Sequence, residues 1–195
     1  MRTCVVGAAM MLAVGSVTMG AQQAAPAPSA PGTVVTSTMR NWSTQYANWL
    51  TTAFDSIPAD KYGYKPTPVQ MSIGQIASHL ERSNYLLCSR AGGVTHAMTA
   101  RDSIPDTVKA GWPKDSLVTR LKASFEFCGR VLATVTDATL PDSLAAPNGR
   151  KFVRAQYLLV YVTDLVDHYS QIANYMRLNN ILPPSALPRP GRGGQ

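Results

Sequence analysis

The longest helical pattern in the sequence, over residues 150–179, places an aspartate and a histidine in the middle of an apolar stripe. Asp164 and His168 are four residues apart, so a helix projects both side chains from one face, one turn apart. The remaining residues of that face are apolar or aromatic: Val153, Tyr157, Tyr161, Leu165, Ile172 and Tyr175. An uncompensated charge in such a face costs on the order of several kcal/mol, so the pair must be hydrogen-bonded, ion-paired or bound to a metal ion.

The composition supports one globular domain with a substantial core. The chain has 195 residues, of which 45% are hydrophobic and only 15% charged, which excludes a disordered protein. The formal net charge is +7, but the basic residues are scattered and form no stripe interleaved with aromatic residues. The sequence therefore argues against a nucleic-acid partner and supports only a weak attraction to anionic surfaces.

The N-terminal residues 1–21 have the pattern of a secretory signal peptide. Arg2 precedes an apolar run from Val5 to Met19, and small residues follow it, so cleavage is expected near Ala21. The alternative is a retained membrane anchor, although a spanning helix needs about 20 apolar residues. We therefore expect an exported protein, periplasmic or secreted, with no stable membrane insertion after cleavage. Residues 22–32 are rich in Pro and Ala and form a linker.

The remaining patterns predict an all-α four-helix bundle with long connecting loops over residues 33–184, followed by a flexible tail over 185–195. The four amphipathic helices are expected at roughly 33–56, 72–91, 115–135 and 150–179. The long connections are rich in Pro and Gly and leave room for crossovers, so simple up-and-down order does not follow. We see no convincing strand alternation and no repeat.

The first and second helices carry the clearest local signals. The first has an aromatic-rich stripe that predicts core: Val35, Met39, Trp42, Tyr46, Trp49, Ala53 and Ile57. The second begins with Ser72 and, three residues later, Gln75, which is a capping box. Between these helices, Tyr62 and Tyr64 are expected to hold the connecting loop against the bundle.

Two cysteines remain after the signal peptide is removed, Cys88 and Cys128. An oxidising compartment favours a disulfide between them, which would join the second and third helices. Two buried free thiols are the alternative, since Cys128 falls on an apolar helical face.

Three histidines are present, and two of them fall at positions that face or border the core. If the fold brings His79 to Asp164 and His168, the three side chains form a three-ligand metal site with open positions. A His–Asp hydrogen bond without metal is the simpler alternative. His96 lies in a loop and is expected to be solvated. Glu81 and Glu126 are expected to lie off the interior faces, so neither predicts a general base.

These residues carry a resemblance to a known family. The segments are Pro58-Ala-Asp-Lys-Tyr-Gly-Tyr-Lys-Pro-Thr-Pro, then Met71 through His79-Leu, then Asp164 through Tyr-Met-Arg177 and Pro-Pro. Together they resemble the DinB-like superfamily over roughly residues 33–184. The resemblance implies a divalent metal held between helices by one histidine of the second helix and two histidines, four apart, on the last. His79 and His168 match two of these ligands.

Asp164 stands where the family has the first histidine of the pair. A carboxylate is also a good ligand for zinc, nickel, iron or manganese, so a divalent metal remains the expected cofactor. Gln171 lies within a turn of His168 and is expected to support it from a second shell. Asp167 points about 100° away around the helix and is a poor ligand.

The resemblance also implies a class of chemistry, in which a metal activates water or a low-molecular-weight thiol for hydrolysis, transfer or isomerisation. Export makes the cytoplasmic thiols less suitable substrates. Two alternatives stand beside the enzyme: a non-enzymatic metal-binding module, and a structural bundle in which the three residues are a polar network. The site would admit a small-molecule substrate. The exposed faces leave room for a homodimer, although no heptad seam predicts one.

Overall fold

The structure is a computed structural model that describes residues 33–146 and 149–188. Five helices are present in these ranges: α1 Val34–Ser56, α2 Ile73–Gly92, α3 Asp106–Lys109, α4 Lys114–Leu132 and α5 Arg154–Leu178. Two short strands, β1 Ser143–Ala145 and β2 Lys151–Val153, precede α5. The four long helices form the all-α bundle that the sequence predicts. The predicted signal peptide and linker lie outside the described residues, as does the chain beyond residue 188.

The bundle has crossover connections. Helix α2 packs against α4 and α5, and α1 packs against the same two helices. Helices α1 and α2 are therefore diagonal neighbours, and the loop over 57–72 crosses one end of the bundle. Tyr62 fixes this loop, because its buried hydroxyl donates to the carbonyl of Phe54 over 2.7 Å. Tyr64 packs edge-on against Tyr175, so both tyrosines hold the loop as expected.

Local chemistry sets the ends of α2. The Ser72 hydroxyl accepts a hydrogen bond from the Gln75 amide, which caps the N-terminus as the sequence indicates. Gly93 ends the helix with a φ of 68°, a left-handed conformation that glycine adopts at little cost. Near the start of the helix, a Cβ on Gly74 would lie 2.6 Å from the Ala110 carbonyl oxygen. A side chain there would push the α3 segment away from α2.

The predicted core stripe of α1 is wrong over its first half. Val35 and Trp42 are 47% and 51% exposed, whereas Thr36 and Ser43 are buried. Small residues, not the aromatic ones, face the bundle at the start of this helix, where the Thr36 amide binds the carboxylate of Asp137. The larger aromatic side chains form a partly exposed row instead. In this row Trp42 packs against Tyr46, and both Tyr46 and Trp49 pack against Tyr169 of α5.

The structure also contains two strands, although the sequence showed no convincing strand pattern. Strands β1 and β2 pair antiparallel, with Ser143 opposite Val153 and Ala145 opposite Lys151. Each strand has three residues, which is too short for an alternating pattern to be recognised. The hairpin takes up the first residues of the segment predicted as helix, so α5 begins at Arg154.

The segment after α5 is held against the bundle. Ser185, which the sequence assigns to the tail, donates its backbone amide to the Tyr169 hydroxyl over 2.8 Å. This contact fixes the chain just past the bundle.

No helix within 33–146 or 149–188 is both long and apolar enough to span a bilayer.

Candidate metal centre

The fold brings His79, Asp164 and His168 together between α2 and α5. One ligand atom from each residue lies within 4.8 Å of the other two. Asp164 Oδ1 is 3.5 Å from His168 Nε2 and 3.8 Å from His79 Nε2. The His79 and His168 rings meet edge-on, with centroids 4.7 Å apart. The packing of α2 on α5 thus places His79 beside the two candidate ligands of the last helix.

The site lies partly inside the bundle. His168 is buried, whereas the side chains of His79 and Asp164 keep about a quarter and a fifth of their surface accessible. His168 Nδ1 and Asp164 Oδ2 are buried and have no hydrogen-bond partner in the protein. Buried polar atoms are normally paired, so the site is incomplete as a purely protein network.

The electrostatics keep Asp164 ionised. Burial alone would raise the pKa of this carboxyl, but the imidazoles of His168 and His79 outweigh that effect and hold the pKa far below its usual range. The nearby Tyr161 responds in the opposite direction. Burial and then the Asp164 charge raise the pKa of its phenol well above the ordinary value, so Tyr161 stays neutral. The cluster therefore contains one stable carboxylate at neutral pH.

The interatomic distances suit a bound cation better than direct hydrogen bonds. Hydrogen bonds between nitrogen and oxygen are about 2.9 Å long, and both His–Asp contacts are longer. Two ligands that each lie about 2.1 Å from a tetrahedral ion are separated by about 3.4 Å. Two imidazoles and one carboxylate also form a donor set that zinc, nickel, iron and manganese accept. The residues present fit a divalent metal.

The support around the cluster differs from the expectation for Gln171. Its amide donates to Asp167 over 2.8 Å, not to His168. The groups that approach a candidate ligand are Ser83, whose hydroxyl lies 3.3 Å from His79 Nε2, and Asp106, whose carboxylate lies 3.9 Å from His79 Nδ1. Asp106 faces the ring nitrogen opposite the cluster, which is where a carboxylate orients a metal-binding histidine.

Asp106 is a residue that sequence reasoning missed. It opens α3 within the connection over 92–114, where no helical periodicity is visible. Its carboxylate accepts hydrogen bonds from Ser78 and Arg82 on α2, which hold it beside His79. Pro105 followed by Asp106 is a helix-start signal that could have identified the short helix. Only the packing of α3 on α2 shows that the carboxylate reaches His79.

Two other expectations about charged side chains are wrong. Glu81 is buried, and it pairs with Arg120 of α4 instead of lying off the interior face. His96 is not a freely solvated loop residue, because its ring stacks on Tyr85 with centroids 3.8 Å apart and also meets Phe127. Both residues belong to a second polar cluster on the far side of α2. Glu126 is exposed, as expected.

The disulfide between Cys88 and Cys128 is present. It joins α2 to α4, with the two Cα atoms 5.3 Å apart, and both residues are buried. The cross-link therefore tethers the helix that carries His79 to its neighbour α4, which carries none of the candidate ligands.

Comparison with known proteins agrees with this architecture. Residues 44–172 match the family model described as the DinB superfamily. A DinB-like protein from Bacillus subtilis is 17% identical, with a TM-score of 0.59 over 78% of this chain and 99% of that one. A DinB-like protein from Bacillus cereus ATCC 10987 is 15% identical, with a TM-score of 0.58 over 75% of this chain and 93% of that one.

One structural relative carries the name of an enzyme. A mycothiol-dependent maleylpyruvate isomerase is 8% identical, with a TM-score of 0.57 over 70% of this chain and 60% of that one. At this identity the likeness concerns the fold alone. A search of curated proteins found no match.

Proposed function

This chain belongs to the DinB superfamily, and from that premise we propose that it binds a divalent metal ion through His79, Asp164 and His168 as a metal-dependent hydrolase or transferase. The observation that carries the proposal is the convergence of the three ligand atoms within 4.8 Å of one another from two different helices. The buried Asp164 Oδ2, which has no hydrogen-bond partner in the protein, supports it.

The residues around a bound metal would have different roles. His168 is buried and would set the inner wall of the site, whereas the partly exposed His79 and Asp164 lie toward the side that solvent reaches. Asp106 would hold the His79 ring by its far nitrogen. Zinc, nickel, iron or manganese bound there would supply the Lewis acidity that activates a water molecule or a thiol. Three protein ligands leave positions open for a small-molecule substrate.

A non-enzymatic metal-binding module is the second candidate. Within the described residues, Asp106 is the one further carboxylate that lies within 4 Å of a candidate ligand's ring nitrogen. Its oxygens already accept from Ser78 and Arg82. A carboxylate so engaged is a weak general base, and this favours binding without turnover. A structural bundle without metal would leave the buried Asp164 Oδ2 without a partner.

Metal content decides between metal binding and a structural bundle. We expect near-stoichiometric divalent metal by elemental analysis of the purified protein, and loss of most of it in His79→Ala and in His168→Ala. His96→Ala is the matched control, since the third histidine lies in a different cluster. Metal content that stays the same in both site variants would exclude the proposed site.

Activity decides between enzyme and binding module. The metal-loaded protein would be tested against panels of hydrolysable esters and of thiol acceptors, beside His168→Ala. Turnover that depends on His168 supports the enzyme. Full metal occupancy without turnover of either panel favours the binding module.

We also propose that the protein is exported and that the signal peptide is removed near Ala21. The apolar run before Ala21 in the sequence supports this. Mass spectrometry of the protein recovered from the extracytoplasmic fraction should show an N-terminus close to residue 22. Recovery of the intact N-terminus from the cytoplasm would contradict export.

A further inference from the structure

Asp106 lies in the connection over 92–114, and the position of that connection decides whether its carboxylate reaches His79. The short helix α3, which Asp106 opens, has four residues and is too short to be stable on its own. Close packing at Gly74 holds the end of α3 against α2. The position of Asp106 therefore depends on contacts that its neighbours in the connection make with the long helices.

Arg120 of α4 contacts the connection on both sides of Asp106. Before Asp106, its guanidinium forms an ion pair with Asp102. After Asp106, the guanidinium lies over the Trp112 ring, 5.6 Å from the centroid, which is an attractive contact for a cation. The same guanidinium also pairs with Glu81 of α2. One side chain thus joins the connection to both α2 and α4.

Lys109 adds a contact from within the connection. Its Nζ atom lies 3.8 Å from Glu81 Oε2 and 3.5 Å from the carbonyl oxygen of Asp102. Lys109 is 1% exposed and Glu81 is 2% exposed. Two carboxylates and two cations thus form a group that is balanced in charge, which we call the Arg120 cluster: Glu81, Asp102, Lys109 and Arg120.

The energetics of buried charges indicate what such a cluster contributes. Removing charges from water costs about as much free energy as their pairing returns, so buried ion pairs add little net stability. Removing one partner is costly, however, because the other charge is then left buried and unpaired. The cluster therefore disfavours any position of the connection that separates Asp102 or Lys109 from its partners. The position that keeps them paired places Asp106 3.9 Å from His79 Nδ1.

The direct contacts of Asp106 with α2 are weaker anchors. Its carboxylate accepts hydrogen bonds from Ser78 and Arg82. The Arg82 side chain is 54% exposed, and ion pairs that reach solvent contribute little. The Arg120 cluster is more deeply buried and contacts the connection at several points, so it restricts the position of Asp106 more strongly.

We propose, on the basis of the proposed metal binding, that Arg120 is a positioning residue for the metal centre. Arg120 holds the connection on both sides of Asp106, and Asp106 in turn orients the His79 ring. Helix α4 carries none of the three candidate ligands, yet it contributes to metal affinity through this chain of contacts. By linkage, a bound metal holds the connection more firmly against the bundle.

Competition titration with a metal indicator measures the effect on affinity. Arg120→Lys keeps the positive charge but lacks the planar fork that binds two carboxylates. We expect this variant to bind zinc or manganese about threefold to tenfold more weakly, with an unchanged helix content by circular dichroism. Arg130→Lys is the matched control, because it makes the same substitution at an exposed position of the same helix. Unchanged affinity in folded Arg120→Lys overturns the proposal.

The Asp106→Asn background separates positioning from a general loosening of the bundle. If Arg120 acts through Asp106, Arg120→Lys should have no further effect on metal affinity once Asp106 has been replaced. An equal loss of affinity in both backgrounds overturns the proposal. If Arg120→Lys does not fold, Asp102→Asn takes its place with the same criteria, because it removes one contact of the connection and leaves the pair of Arg120 with Glu81.

Amide hydrogen exchange gives a readout that needs no metal. The amides of Lys109 and Ala110 donate to the carbonyls of Pro105 and Asp106. In the metal-free protein, Arg120→Lys should speed the exchange of these two amides about threefold to tenfold relative to the amides of α5. Equal rates in Arg120→Lys and the unaltered protein overturn the anchoring of the connection.

The same measurement with metal tests the linkage and separates this proposal from the proposed function. Added zinc or manganese should slow exchange of the Lys109 and Ala110 amides in the unaltered protein and have less effect in Asp106→Asn. Equal slowing in both proteins overturns coupling through Asp106. If the unaltered protein binds no metal at all, the proposed function is wrong and the role in metal affinity falls with it. The metal-free exchange then still decides whether Arg120 anchors the connection.

Discussion

The carboxylate of Asp164 lies between two imidazoles from different helices, at 3.5 and 3.8 Å. Its low pKa means that it offers a charged oxygen at neutral pH without first releasing a proton. Compared with a third histidine, the carboxylate lowers the net charge of a bound divalent cation by one and makes the donor set harder. We therefore expect this site to accept manganese or iron more readily than a site of three histidines would.

Replacing Asp164 tests that reasoning. We expect Asp164→His to bind zinc more tightly and manganese more weakly than the unaltered protein, because imidazole is the softer ligand. Competition titrations with a metal indicator would measure both affinities. Asp167→His, which changes a neighbouring carboxylate that points away from the cluster, is the control. The same shift in both variants would show that general charge, not ligation, is responsible.

The carboxylate of Asp106 lies 3.9 Å from His79 Nδ1, and we expect it to affect metal binding by orienting that ring. Asp106→Asn should lower metal affinity about tenfold to a hundredfold, since the ring loses the charged group that orients it. Competition titration measures the change, and circular dichroism should show an unchanged helix content. Asp142→Asn removes a carboxylate that pairs with Arg154 on a different part of the bundle, and it should leave metal affinity as it was.

At the scale of elements, remote segments complete the helix ends. The first turn of α1 has no acidic residue and no cap from Thr33. The carboxylate of Asp137 supplies the missing acceptor, binding the Val35 and Thr36 amides at 3.0 and 2.8 Å. A cap that comes from about a hundred residues away joins the start of α1 to the segment that follows α4. No local sequence signal reports it.

This cap gives a prediction that depends on pH. Desolvation acts to raise the pKa of Asp137, but the hydrogen bonds from Thr36 and Val35 and the charge of Arg40 together outweigh it and hold the pKa below its ordinary value. A depressed pKa stabilises the fold above the ordinary value and loses that effect as the pH falls through the folded value. Asp137→Asn should therefore have a lower melting temperature at pH 7, and the difference should narrow below about pH 4.

Asp60→Asn is the control for this measurement, because Asp60 is exposed in the loop after α1. Its melting temperature should equal that of the unaltered protein at both pH values. A pH-independent difference for Asp137→Asn would mean that the charge of the cap is unimportant.

The disulfide couples α2 to α4 over a sequence separation of 40 residues. In the loop-closure model, such a cross-link stabilises the fold by about 4 kcal/mol by restricting the unfolded chain. Reduction should lower the urea midpoint of unfolding accordingly. The reducing agent should leave the midpoint of Cys88→Ala/Cys128→Ala unchanged. Equal midpoints for the oxidised and reduced protein would show that the bundle gains nothing from the cross-link.

At the scale of the whole molecule, the candidate metal centre joins two helices that reach it by different routes. Helix α2 follows a loop that crosses the end of the bundle, and α5 follows the hairpin of β1 and β2. An ion held by His79 and His168 would cross-link these helices in the folded state only. Ligand binding to the native state stabilises it in proportion to the logarithm of the ligand concentration.

Added metal should therefore raise the melting temperature of the whole bundle. At a free metal concentration of a hundred times the dissociation constant, the gain is about 2.7 kcal/mol. Differential scanning calorimetry of chelator-treated protein with and without zinc or manganese measures it. His168→Ala should show no such gain, whereas His96→Ala should behave like the unaltered protein.

A homodimer remains a prediction, and sedimentation of the purified protein would test it.

The sequence by itself determined the four long helices, their approximate ends and the chemical types of the candidate ligands. Those features depend on local periodicity, on caps such as Ser72 and on the four-residue spacing of Asp164 and His168, all of which act within one or two turns. The disulfide partners also followed, because only two cysteines remain after the predicted cleavage.

The tertiary structure decided which residues from distant parts of the chain contact those side chains. Thr36 is buried in place of Val35 at the point where Asp137, about a hundred residues along the chain, binds the first amides of α1, and periodicity does not contain that contact. Asp106 reaches His79 because Gly74 lets the α3 segment approach α2, and Glu81 is buried because Arg120 neutralises it from the opposite helix. These contacts join residues far apart in the chain, so their energies depend on the packed bundle and not on any local pattern.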